Sequence, residues 1–140
     1  MDRQIVLVAA VDRRGAIGRD NKLLWSLPSD LFHFKLLTLK GTVVMGRKTF
    51  ESLGNKPLPD RRNIVMSQDM AYRPFGQEVC RSVLALSEMK TEKERIFVIG
   101  GEAIYRLFMP YAEGLVVSYV DAEVEGDTHF PEIDMARFKE

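Results

Sequence analysis

The chain has 140 residues, 46% of them hydrophobic and 29% charged, which is one domain's worth of an ordinary core-forming composition. Lys+Arg and Asp+Glu both number 20, so the formal net charge is zero, and neither a generally basic nucleic-acid binder nor an acidic tail fits. Cys80 is the only cysteine, which leaves no intrachain disulfide and suits a reducing, cytoplasmic compartment.

The continuous apolar run Ile5–Val11 predicts a strand covered on both faces. It is too short to span a bilayer, and no signal-peptide cleavage pattern follows it. Asp12–Ser26 is polar, carries Gly15 and Gly18, and reads as a long loop. Loops of that length in compact domains often serve as lids. A helix is predicted over Pro28–Leu39, with Pro28 suited to a first helical position. At about 100° per residue, Leu27, Asp30, Leu31, Phe34, Leu37 and Thr38 fall within an arc of roughly 120°. Asp30 therefore sits in an apolar stripe. A first-turn Asp can simply complement the helix dipole, an effect of about 0.3–1 kcal/mol. A carboxylate buried on that arc would instead need a partner, which a cationic or hydrogen-bond-donating ligand could supply.

Further strands are predicted at Thr42–Met45, Asn63–Met66, Ile96–Ile99 and Leu115–Val120. Helices are predicted near Lys48–Leu53, Val83–Met89 and Glu102–Phe108, the last ended by Pro110. No linker or repeat divides the chain, so it reads as a single domain, 1–140. Strands alternating with helices predict an α/β architecture with a mostly parallel central sheet and helices on both faces.

Two strand–Gly–helix junctions stand out, Met45-Gly46-Arg47-Lys48-Thr49 and Ile99-Gly100-Gly101-Glu102-Ala103. Glycine admits a ligand close to the backbone, and helix N-termini offer free N–H groups to phosphates. Arg47 and Lys48 add positive charge, so together the junctions suit a phosphorylated dinucleotide. Each glycine could also be turn chemistry alone, and the full GxGxxG fingerprint is absent. Pro57-Leu58-Pro59-Asp60-Arg61 is a rigid turn whose Arg61 could hold a carboxylate through two parallel bonds, or could simply be an exposed turn arginine. His33 and His129 are isolated from any ligand cluster, so no metal site is predicted. Nor is there a serine nucleophile elbow.

Taken in order, these segments resemble the dihydrofolate reductase family. The resemblance rests on Ile17-Gly18, Leu24-Trp25-Ser26-Leu27-Pro28-Ser29-Asp30-Leu31, Phe34-Lys35 with Thr38, and Val44-Met45-Gly46-Arg47-Lys48-Thr49-Phe50-Glu51-Ser52. It continues through Pro57-Leu58-Pro59, Arg61-Arg62-Asn63, Ile99-Gly100-Gly101 with Tyr105, and the stretch Asp121–Pro131.

The resemblance implies a three-layer α/β/α fold around a mixed, mostly parallel sheet, with residues of about 42–95 holding the adenosine part of NADPH. It implies reduction of 7,8-dihydrofolate to 5,6,7,8-tetrahydrofolate for one-carbon metabolism, and binding of antifolate-type inhibitors. Asp30 would manage the proton, Ser118 would back it from a neighbouring strand, and Trp25 would fix the lid. Val8, Leu31, Phe34, Leu53, Asn55 and Leu58 would line the substrate pocket, with Arg61 on the glutamate carboxylate. Ala10, Ile17, Gly18 and Leu23 would meet the nicotinamide side. Gly46, Arg47, Lys48, Thr49, Ser67, Gln68, Arg81, Ile99, Gly100, Gly101, Glu102, Ala103, Ile104 and Tyr105 would bind the rest of NADPH.

Several positions depart from the family pattern. Leu24 stands where a proline is common, Ser118 replaces a usual threonine, and Gln68 lies where a basic residue often helps hold the 2′-phosphate. The sequence ends at Glu140, before the family's last β-hairpin, so Leu115–Val120 is expected at a sheet edge open to self-association. Two other readings follow. One is a pyrimidine reductase of riboflavin synthesis, which shares the fold but is opposed by Asp30 and Arg61. The other is a weakly active or inactive nucleotide- or folate-binding fragment.

Overall fold

The computed structural model describes residues 4–11, 15–19, 22–23, 36–38, 41–72, 74, 76–88, 95–119, 128–131 and 133. In chain order its elements are β1 (Gln4–Val11), β2 (Ala16–Arg19), β3 (Lys22–Leu23), β4 (Thr42–Gly46), α1 (Arg47–Ser52), β5 (Arg62–Met66), β6 (Glu78–Cys80), α2 (Val83–Glu88), β7 (Arg95–Val98), α3 (Glu102–Phe108), a 3-10 turn (Met109–Tyr111), β8 (Gly114–Tyr119) and β9 (Thr128–His129). The strands predicted from apolar runs all form. Pro110 ends the last helix as expected, by tightening the chain into the 3-10 turn. The helix predicted over Pro28–Leu39 lies outside the described residues except at 36–38, which are helical.

Six strands form one sheet in the order β6-β5-β4-β7-β1-β8, and every pairing is parallel. Parallel strands need both faces covered, and the side chains of β1 divide accordingly. Leu7, Ala9 and Val11 join a cluster with Leu86 of α2 and Tyr105 and Phe108 of α3. Val8 and Ala10 join a second cluster with Phe50 of α1 and Leu58. One alternation thus supplies two cores. Right-handed crossovers explain the division, because α1 carries the chain outward from β4 to β5 while α2 and α3 carry it back the other way.

β6 was not expected. Its three residues carry little strand signal of their own and are held by β5. Arg62 donates from Nε and from a terminal nitrogen to the two Glu78 carboxylate oxygens, both at 2.7 Å. The Arg62 hydrogen bonds, against a smaller opposing effect of burial, hold the Glu78 carboxyl below its ordinary value. A depressed folded pKa adds stability that is present above the unfolded value of about 4.3 and is lost as pH falls through the folded one. Both side chains are part-exposed, so the contribution is about 0.5 kcal/mol. Glu78→Gln should therefore lower the melting temperature slightly at neutral pH, and by less once the pH is low enough to protonate Glu78 in the folded protein. A thermal-unfolding series in pH checks this; an equal deficit at both ends would contradict it.

The polar stretch Asp12–Ser26 is not loop throughout, which corrects the sequence reading. β2 pairs antiparallel with β3, Gly18 opposite Leu23, and with β9, Ala16 opposite His129. The Phe130 N–H also donates to the Gly15 carbonyl at 3.0 Å. These strands are two to four residues long, and β2 reaches β9 across more than a hundred positions, a pairing that no local pattern announces.

Candidate active site

The two glycine junctions emerge from the C-terminal ends of adjacent strands, β4 and β7. From β4 the chain leaves through α1 toward β5, and from β7 it leaves through α3 toward β8 on the other side. Neighbouring strands whose connections depart in opposite directions open a crevice above their ends, the usual ligand position in an open α/β sheet. The junctions are stitched together: the Ile99 N–H donates to the Val44 carbonyl at 2.9 Å and the Gly46 N–H to the Gly100 carbonyl at 2.8 Å.

The glycines are required for different reasons. A Cβ on Gly46 would lie 2.8 Å from Ile104 Cγ1, so this glycine lets α3 press against β4. That is helix packing rather than ligand approach, and it also assigns Ile104 its place. Gly100 has φ +127°, which side chains rarely adopt. Gly101 has φ −93°, and a Cβ there would meet only Thr49 Oγ1, at 3.7 Å, among the described residues. Among the described residues, packing does not demand glycine at 101. Neither Gly46 nor Gly101 caps its helix with a side chain, which leaves first-turn N–H groups available to an anion. These residues fit a dinucleotide phosphate.

Arg47 and Lys48 are exposed at the first junction, while Thr49 is buried beneath it. The Arg47 guanidinium lies 3.3 Å from both Glu51 and Asp69 and 4.3 Å above the Tyr72 ring. Burial raises the Tyr72 phenol above its ordinary value, with Arg47 opposing and Glu51 reinforcing. Ser67 and Gln68 follow β5 in the same region. Arg81 donates to the carbonyls of Ser67 at 3.3 Å, Asp69 at 2.6 Å and Tyr72 at 3.1 Å. In this structure it braces that loop; the resemblance put it among the residues that would bind NADPH.

Glu102, at the start of α3, accepts a hydrogen bond from the His129 N–H at 2.6 Å and pairs with Arg106 at 3.6 Å. It ties β9 to the second junction, a role that no local pattern announces. Ala103 is exposed beside it. Tyr105 is 1% exposed, donates its hydroxyl to the Val8 carbonyl at 2.7 Å, and packs its ring 4.9 Å from Phe130. Ile99 is buried, and Ile17 is buried in the other core cluster. Gly18 and Leu23 face each other in the small sheet.

On the second face of the main sheet, Val8, Ala10 and Leu58 join one apolar cluster, with Leu53 and Leu37 packed against it. Ser118 lies in β8 at the register position opposite Ala10. Asn55 is exposed in the turn after α1, at φ +57°. Arg61 is half-buried; burial draws its guanidinium below the ordinary value, and Asp60 opposes this. An arginine so placed is still a cation at neutral pH. Trp25, Asp30, Leu31 and Phe34 lie outside the described residues. At the described residues 36–38, Leu36 is 58% exposed, Leu37 is packed on the cluster and Thr38 is fully buried. Leu37 and Thr38 belong to the arc that carries Asp30, and Leu36 does not. No cluster of three or more metal-ligating side chains occurs among the described residues, and none of their helices is long and apolar enough to cross a membrane.

A parallel sheet with a phosphate-suited crevice at its switch point, beside an apolar face, defines a dinucleotide-binding α/β protein. Comparison with known proteins narrows this. The family model described as dihydrofolate reductase matches residues 4–140. Dihydrofolate reductase type 3 of Salmonella typhimurium is 46% identical over 128 residues, covering 91% of this chain and 78% of that protein. The dihydrofolate reductase of Bacillus subtilis is 42% identical over 135 residues, covering 96% and 80%. A solved dihydrofolate reductase from Enterococcus faecalis, complexed with NADP(H) and RAB-propyl, superposes with a TM-score of 0.86 at 36% identity, over 95% of this chain and 80% of that one. The chain belongs to the dihydrofolate reductase family.

Proposed function

We propose that this chain reduces 7,8-dihydrofolate to 5,6,7,8-tetrahydrofolate with NADPH, the reaction of the family to which it belongs. The observation that carries the proposal is the pair of stitched glycine junctions at the switch point, set beside the Val8, Ala10 and Leu58 face. The family match favours this reading over a riboflavin-pathway pyrimidine reductase or an inactive fragment.

NADPH, when bound, supplies the hydride. The Gly100-Gly101 and Gly46 junctions and Thr49 hold its phosphates, with residues 42–95 forming the adenosine side. Arg47, Lys48, Ser67 and Gln68 surround the 2′-phosphate. Ala10, Ile17, Gly18 and Leu23 bound the nicotinamide end, where the small sheet and Trp25 exclude water. Val8, Leu31, Phe34, Leu53, Asn55 and Leu58 enclose the substrate ring and Arg61 takes the glutamate carboxylate. Going from the 7,8-dihydro to the 5,6,7,8-tetrahydro form adds a hydride at C6 and a proton at N5. Asp30, backed by Ser118, manages that proton, directly or through water. The sequence puts Asp30 on the same predicted arc as Leu37 and Thr38, which are packed and buried. An acid in an apolar site keeps its proton more readily, which suits donation. Transfer of deuterium from NADPH dideuterated at nicotinamide C4 to C6 of the product tests the proposal. Product lacking the label would refute it.

Cofactor choice follows from the first junction. Neutralising Arg47 and Lys48 together should weaken NADPH binding, more so at low salt, and barely change NADH. Kd values for both cofactors at two ionic strengths check this, and a wild-type chain that uses both equally would contradict it. We place the protein in the cytoplasm, as its lone cysteine suits. β8 ends the order of the described strands, and Val116 is 38% exposed. Edge pairing with a second copy is therefore proposed, to be read by light scattering.

A further inference from the structure

Asn63 is a residue for which the sequence offered no role beyond its place in a motif. It opens the buried part of β5 and is only 7% exposed. Its carboxamide is fully engaged by the preceding turn. The Leu58 N–H donates to Asn63 Oδ1 at 2.9 Å. Asn63 Nδ2 donates to the Leu58 carbonyl at 2.9 Å and to the Arg61 carbonyl at 3.0 Å. One acceptor and two donors thus meet three backbone groups at both ends of the Leu58–Arg61 segment. Between them lie Pro59 and Asp60, the latter at φ +60°, a conformation an aspartate holds only when its surroundings enforce it.

β5 in turn anchors Asn63. The Arg62 N–H donates to the Gly41 carbonyl at 3.0 Å, and Gln77 Nε2 donates to the Asn63 carbonyl at 2.5 Å. Asn63 is therefore the fixed post and the turn is what it holds. Leu58 lies on the apolar cluster, and Arg61 is the group assigned above to the glutamate carboxylate.

We infer that Asn63 is a positioning residue for the substrate's carboxylate tail: its amide sets the Arg61 main chain, and through it where the guanidinium stands relative to the Leu58 wall. The inference rests on the proposed role of Arg61. A displacement of about 1 Å is enough to forfeit a two-bond carboxylate contact, so a polar amide 7% exposed has a functional consequence as well as a structural one. No aliphatic or acidic residue reproduces the set. Aspartate would turn an oxygen toward the two carbonyls that now accept from Nδ2.

The test is a steady-state comparison of Asn63→Ala with the parent chain on two substrates, dihydrofolate and a 6-methyl dihydropterin that lacks the tail. KM for dihydrofolate should rise roughly 5- to 10-fold, with kcat at saturation nearly unchanged and a clearly smaller KM rise for the tail-less pterin, which meets the Leu58 wall but not Arg61. In an Arg61→Leu background, Asn63→Ala should add no more than that smaller rise to the dihydrofolate loss, because the group it positions is gone. Should Asn63→Ala fail to fold, Asn63→Ser, which keeps a hydroxyl able to donate and accept, gives the same comparison. Equal losses on both substrates, or losses that add in full to those of Arg61→Leu, overturn the inference. Arg61→Leu alone separates the two failures. If it discriminates between the substrates and the Asn63 variants do not, only the positioning role falls. If neither discriminates, the tail reading of Arg61 falls and the inference falls with it.

Discussion

Asp30→Asn should lower turnover at neutral pH by about 10²-fold or more, the scale of lost acid–base catalysis, in a protein that remains folded. Asparagine keeps the shape and part of the hydrogen bonding but cannot carry the proton. The predicted arc groups Asp30 with Leu37 and Thr38, so on the proposed reading removing its charge should leave stability unchanged or raise it. A first-turn aspartate that only complements the helix dipole predicts the opposite pattern: a small loss of stability and no loss of turnover. Kinetics and thermal unfolding on the same variant separate the two roles, and full turnover in a folded Asp30→Asn protein would end the catalytic assignment.

Arg61→Leu should weaken dihydrofolate roughly 10- to 100-fold, the equivalent of about 1.5–3 kcal/mol for a charge-assisted contact. A pterin without the glutamate tail should be hardly affected. The difference matters because Arg61 is half-buried in a turn held by Asn63, so a structural effect is the natural competitor. A structural effect would cost both ligands alike, whereas a lost carboxylate contact cannot affect a ligand that lacks the carboxylate. Dissociation constants for the two ligands decide between them.

What the sequence revealed and what it concealed divide along a physical line. β1, β4, β5, β7 and β8 announce themselves because a buried parallel strand is a run of β-branched and apolar residues. The glycine junctions are legible for a similar reason, since the strand-to-helix change of period lies in consecutive residues. Features built by pairing distant residues are not legible. β6 exists through β5 and the Arg62–Glu78 pair, and β2 pairs with the distant β9. Gly46 reads as room for a ligand, yet the atom that needs its space belongs to Ile104. Arg81 reads as an NADPH-binding residue by resemblance, and the sequence does not show that it also braces three loop carbonyls. A composition can show that a cation is present; only the fold shows what it points at.

The central claim is that this chain is a working dihydrofolate reductase, and the most direct measurement is the rate of NADPH oxidation by purified 1–140, followed spectrophotometrically with and without dihydrofolate. The expected result is oxidation that depends on dihydrofolate, saturates with it, and yields one tetrahydrofolate for each NADPH consumed. A folded chain that binds both ligands yet oxidises NADPH no faster with dihydrofolate than without it would contradict the claim.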